Sequence, residues 1–156
     1  MITSRRTVSL DEFSGCAGRE LEPSAWLEIT QQRVNQFADA TDDHQFIHVD
    51  PKKATDTVFG GTIAHGFLTL SLLSHLNSGS ALIPEGTTMV INYGSDRVRF
   101  LAPVRVGARI RTLQKILEVS RKSSGTWLMK TAVTVEIENS SKPAMKGEML
   151  SLYIVR

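Results

Sequence analysis

The sequence predicts an α+β fold in which a long antiparallel sheet wraps around one central helix of about residues 63–77. Two observations carry this expectation. From Ile63 to about Asn77, the residues Ile63, Ala64, Phe67, Leu68, Leu70, Leu72, Leu73 and Leu76 fall on every side of a helical wheel. A helix apolar all round is one surrounded by protein. After Gly86 the apolar period changes to two and stays there to the C-terminus, which is the pattern of strands with one buried face. A chain of 156 residues, 41% of them hydrophobic, can bury such a core as a single domain spanning 1–156 without disulfides or a structural metal. Cys16, alone, can neither close an intrachain disulfide nor build a cysteine zinc site, and a reducing, cytoplasmic setting is expected.

Each element has its own local cause. Ser9-Leu10-Asp11-Glu12 has capping-box spacing and opens a short helix that Gly15 and Gly18 end. Trp26 to Ile29 alternates as a short strand, after which Thr30 caps a helix carrying Val34, Phe37 and Ala38 on one stripe and failing near Thr41-Asp42-Asp43. The segment Asp42 to Asp50 is too polar for core and reads as a loop. Asp50-Pro51 then suits the cap and first position of a short helix running towards Thr57, broken by Phe59-Gly60-Gly61. The central helix follows. Thr87–Tyr93, Arg97–Phe100, Ala108–Val119, Thr126–Glu138 and Ala144–Val155 read as strands, separated by turn signals at Gly94-Ser95, Pro103 with Gly107, Ser123-Ser124-Gly125 and Asn139-Ser140-Ser141. A sheet wound about one helix in this way is called a hot dog.

Charge is balanced overall, 18 Lys+Arg against 16 Asp+Glu, but not along the chain. Residues 11–50 hold nine acids and two bases, and residues 96–130 hold nine bases and two acids. The basic stretch is either a set of solvated strand faces or a surface that meets an anionic ligand. Its aromatics are only Phe100 and Trp127, too few for base stacking, so no nucleic-acid partner is expected. No membrane partner is expected either, because polar residues interrupt the apolar stretch at His65, Ser71, Ser74 and His75 and it falls short of the ~20 residues that would cross a bilayer. Ser4-Arg5-Arg6 faintly resembles a twin-arginine export signal, but no apolar region follows it.

The polar cluster Asp42-Asp43-His44-Gln45-Phe46-Ile47-His48-Val49-Asp50 holds the candidate chemistry. In a helix Asp43 and His48 would point about 140° apart, so they converge only in a non-helical segment. A carboxylate and an imidazole that converge beside an apolar pocket can hold a water and move its protons. An Asx-turn at Asp43 and a half-buried structural His48 fit the same spacing. At Ile63-Ala64-His65-Gly66 the free N–H groups of a helix start face outward, and Gly66 lets a substrate oxygen approach its N–H as an oxyanion donor. Close helix packing would also account for Gly66, and a core histidine for His65. His44, His48 and Asp50 have metal-like spacing, but Gln45 stands where an H-E-x-x-H motif needs its Glu, and no metal is expected. G-x-S-x-G, G-x-G-x-x-G and P-loop signatures are absent from the sequence.

Three blocks in order resemble the MaoC-like dehydratases, the hot-dog family of (R)-specific enoyl-CoA hydratases. Phe37 to Pro51 resembles the hydratase motif D-x-N-P-[IL]-H followed by D-P, with Gln45 for Asn and Phe46 for Pro. Ile63-Ala-His65-Gly66-Phe-Leu is similar to I-x-H-G-M-L, and Val98 to Gly107 resembles F-x-x-P-V-x-x-G. The resemblance implies that Asp43 and His48 are catalytic and that Gly66 N–H receives the thioester oxygen. It also implies hydration of trans-2-enoyl-CoA to (R)-3-hydroxyacyl-CoA, an acyl-CoA or acyl-carrier thioester as substrate, no cofactor and a homodimer. Gln45, His65, Arg97 and Arg99 are candidate substrate contacts, and the basic stretch 96–130 is a candidate surface for the phosphates of CoA. A hot-dog thioesterase and a non-catalytic acyl-thioester-binding module remain alternatives.

Overall fold

The computed structural model describes residues 6–156. Ser4 and Arg5 of the Arg5-Arg6 pair lie outside that range.

The chain begins with strand β1 (Arg6–Val8) and helix α1 (Leu10–Ser14), whose start is fixed by Ser9 Oγ accepting from Glu12 N–H at 3.1 Å. Short strands β2 (Glu20–Leu21) and β3 (Leu27–Glu28) lead to helix α2 (Gln31–Thr41), capped by Thr30 Oγ1 accepting from Arg33 N–H. Asp42 ends α2 in the left-handed region, at φ 57°, a conformation that Asp tolerates better than most residues. A helical turn, α3 (Phe46–Val49), and helix α4 (Pro51–Thr55) follow. Asp50 caps α4, accepting from Lys53 N–H, with Pro51 first in the helix as expected.

The central helix differs from expectation in three respects. Ile63 and Ala64 are extended: Ile63 bridges to Arg105, and Ala64 N–H donates to Val104 C=O at 2.7 Å. The helix therefore starts at Gly66, as α5 (Gly66–Ser71). It then breaks at Leu72 into α6 (Leu73–Leu76) and a 3₁₀ turn, Asn77–Gly79. Nor is it covered all round within this chain. Leu68, Leu72, Leu73 and Leu76 enter the core, whereas Phe67 is 69% exposed.

After β4 (Leu82–Pro84), which pairs in parallel with β1, come the four long strands β5 (Thr87–Phe100), β6 (Arg109–Ser123), β7 (Thr126–Ile137) and β8 (Met145–Val155). All pairs in the main sheet are antiparallel, in the order β2-β6-β7-β8-β5, with β3 also on β6. Gly94-Ser95 makes no turn. The two strands expected on either side of it are one, and register shifts at Asn92/Gly94 and Asp96/Arg99 absorb the extra residues, with Arg97 at φ 53°. The period-two reading holds on β7, where Met129, Thr131, Val133 and Val135 are buried. Ile110, Val133, Val135 and Met145 of the sheet close on the leucines of α5 and α6. A second cluster, Phe13, Leu82, Ile116, Met129 and Tyr153, lies under α1.

Candidate active site

The loop that follows α2 brings Asp43 and His48 together, although not as a plain loop. His48 sits on the α3 turn, while Asp43 lies before that turn, just past the left-handed Asp42. The reversal at Asp42 is what lets the carboxylate return towards the imidazole. One carboxylate oxygen of Asp43 and one ring nitrogen each of His48 and His65 all lie within 4.8 Å of one another.

His48 is buried, and its Nδ1 is 2.7 Å from Ile63 C=O. A carbonyl can only accept, so Nδ1 carries a hydrogen and the neutral ring has its free lone pair on Nε2. Burial pushes the His48 pKa below the ordinary 6.5, with His65 adding to the downward push, while the Ile63 hydrogen bond and the Asp43 carboxylate act against it. The ring is thus held neutral and ready to accept a proton. Its backbone is anchored as well. Gln31 Nε2 donates to His48 C=O at 2.7 Å, and Gln31 Oε1 accepts from Thr62 Oγ1 at 2.6 Å. Gln31 carries no local sequence signal as a site residue, since its partners lie 17 and 31 positions away and no motif links them.

His65 is buried one residue ahead of α5. Its Nε2 donates to Asp43 C=O at 2.9 Å, and its ring stacks on His48 with centroids 3.7 Å apart and planes 25° apart. That stack bears on the metal question. An imidazole binds a metal in its own ring plane at about 2.0–2.1 Å, and two nearly parallel stacked rings cannot aim their lone pairs at one such point. Of the metal-like trio noted in the sequence, His44 instead meets Asp39 at 2.8 Å and Asp50 caps α4. The Asp39 carboxylate raises the His44 pKa, as the hydrogen bond favours the charged ring.

A cleft of about 280 Å³ opens at His48, lined also by Gly66, Thr69, Phe100, Pro103 and Val104 among others, whereas Asp43 is not among its lining residues. Gly66 has a steric reason: a Cβ there would lie 3.0 Å from the Phe100 ring. Its N–H has no acceptor among the described residues, so packing and an open donor coexist at this position. Phe100, which also meets Phe67 edge to face at 5.9 Å, was part of a recognised block but was not expected to line the site.

The other candidate contacts stand apart from the cleft lining. Gln45 is exposed at the start of α3, where its C=O accepts from His48 N–H at 2.9 Å. Arg97 lies 3.5 Å from Glu148. Arg99 is exposed, bonds Val98 C=O and faces Lys146 across β5 and β8. His65 reaches Asp43 rather than the cleft wall.

Residues 12–140 match the family model described as MaoC like domain. The chain is 48% identical over 147 residues to Nodulation protein N of Rhizobium meliloti, covering 93% of this chain and 91% of that one. It is 44% identical over 146 residues to 3-hydroxyacyl-thioester dehydratase Z of Mycobacterium tuberculosis, covering 94% and 96%. Its fold is similar to that of an unliganded R-hydratase from Pseudomonas aeruginosa, with TM-score 0.72 and 24% identity over 90% of this chain and 83% of that one.

Proposed function

Because this chain belongs to the MaoC-like dehydratase family, we propose that it hydrates trans-2-enoyl thioesters reversibly, with Asp43 and His48 activating the water. The reaction is that of a hydro-lyase acting on an acyl thioester. The observation that carries the mechanism is the tautomer of His48. With Nδ1–H committed to Ile63 C=O, Nε2 is the basic nitrogen, in a ring that burial keeps neutral.

The steps follow from that geometry. A water held between Asp43 and His48 gives one proton to His48 Nε2 as its oxygen bonds to C3 of the enoyl group. The C2=C3 π electrons move towards the thioester, whose oxygen becomes an enolate. Gly66 N–H, at the start of α5, is the donor for that oxygen. The imidazolium then returns its proton to C2, so the sum is addition of one water. Asp43 orients the water by accepting its second hydrogen. The R configuration of the product follows from family membership and not from a residue in view.

Two copies of the chain form the working unit. The support is β5, a 14-residue edge strand without a partner on its outer side among the described residues, carrying exposed Met89, Val90, Ile91 and Tyr93. Such an edge invites pairing.

Crotonyl-CoA tests the reaction. The wild type should consume the enoyl absorbance without releasing free thiol, and Asp43→Asn or His48→Ala should slow this by ~10²-fold or more. Thiol release in place of hydration would make the chain a thioesterase. Tight acyl-CoA binding without turnover would make it a binding module.

A further inference from the structure

We propose that His65 is a positioning residue for the Asp43–His48 pair: one buried ring fixes both the backbone that carries the carboxylate and the plane of the neighbouring imidazole. The inference rests on the reading of Asp43 and His48 as the water-activating pair, and it gives His65 a part in that reaction without contact with substrate.

Three observations converge on it. The first is the hydrogen bond. Asp43 follows the left-handed Asp42 beyond the end of α2, where no helical bonding holds the chain, and the His65 Nε2–H bond to Asp43 C=O spans 22 positions. Among the described residues no other hydrogen bond holds that carbonyl. The same nitrogen lies 4.0 Å from Asp43 Oδ2, so the ring stands behind the carboxylate as well as its peptide. The second is the stack. At 3.7 Å and 25° His65 lies flat against His48, and Phe37 packs on His65 at 5.0 Å. With Nδ1 of His48 tied to Ile63 C=O, the stack removes the remaining freedom of the ring to tilt, and so sets where Nε2 points.

The third is an expense that packing alone does not explain. His65 is 3% exposed, and its Nδ1 is buried with no partner among the described residues. A buried polar atom left unpaired is destabilising, and an apolar ring would fill the same space without it. What the histidine adds over such a ring is the Nε2–H donor.

Two variants separate donor from stack. His65→Phe keeps an aromatic face against His48 and loses the donor. His65→Gln keeps an N–H at comparable reach and loses the stack. For His65→Phe, kcat on crotonyl-CoA should fall by up to ~10²-fold, the scale of a small misplacement of a catalytic group. KM should stay within about twofold and the thermal midpoint should not fall. The acid limb of its pH–rate profile should move up, because His65 is one of the groups that hold the His48 pKa down. His65→Gln should recover part of kcat. If both variants turn over within about twofold of wild type while Asp43→Asn and His48→Ala are inactive, His65 is a core residue and the inference is wrong. If Asp43→Asn and His48→Ala are themselves active, the reading of the pair falls and takes this inference with it.

Discussion

At His48 a single hydrogen bond decides which ring nitrogen keeps a free lone pair. The Ile63 carbonyl has no proton to give, so its 2.7 Å contact places the hydrogen on Nδ1 and the lone pair on Nε2. At Gly66 close packing and an N–H unbonded among the described residues share one position. Alanine there retains the N–H but puts a methyl 3.0 Å from the Phe100 ring, which must shift by a few tenths of an ångström. Gly66→Ala should therefore lower kcat/KM by roughly tenfold through displacement of a cleft wall. Adding Phe100→Leu should restore most of it. Kinetics on the single and double variants check this, and a double variant no better than Gly66→Ala would mean that the glycine is needed for something other than room.

At the scale of elements, the sequence was most informative where local chemistry decides the outcome. Ser9, Thr30 and Asp50 cap the helices they were expected to cap, since an N-cap depends only on the three residues after it. The period-two pattern on β7 likewise reports a face that really is buried. Tertiary contacts overrode local signals elsewhere. Ile63 and Ala64 continue the apolar helical pattern, yet their backbones bond to Ile47 and Val104 and stay extended. Gly94-Ser95 looks like a turn in isolation, but pairing along β8 carries the strand through it, with bulges taking up the slack. At the site, Asp43 and His48 were legible because they are close in sequence. Gln31, and the link from His65 to Asp43, were not, because both bridge distant segments.

For the whole molecule, part of the basic stretch of the sequence is neutralised in cross-strand pairs, with acids that lie outside residues 11–50. Arg109 meets Glu138, Arg111 meets Glu136 and lies over Trp26, and Lys130 bridges Asp96 and Glu148. These pairs engage only some of the nine bases of the stretch, and exposed pairs of this kind add little stability each. Arg99 faces Lys146 across the strands and, like Arg105, Lys115, Arg121 and Lys122, makes no ion pair among the described residues. The exposed apolar residues of β5 and the exposed Phe67 are the surface on which the proposed second copy packs. Light scattering at micromolar concentration should give the mass of a dimer, and Val90→Lys with Ile91→Lys should shift it towards the monomer. A wild type that stays monomeric there would remove the second copy from the account.

In the proposed reaction neutral His48 accepts the proton of the water. The pH dependence of kcat/KM on crotonyl-CoA tests it most directly. Since burial lowers the His48 pKa, the base form persists to lower pH than for an ordinary histidine, and the acid limb of activity should be centred below pH 6.5. That limb should vanish from the residual activity of His48→Ala. An acid limb centred above pH 6.5, or one unchanged in His48→Ala, would contradict the assignment.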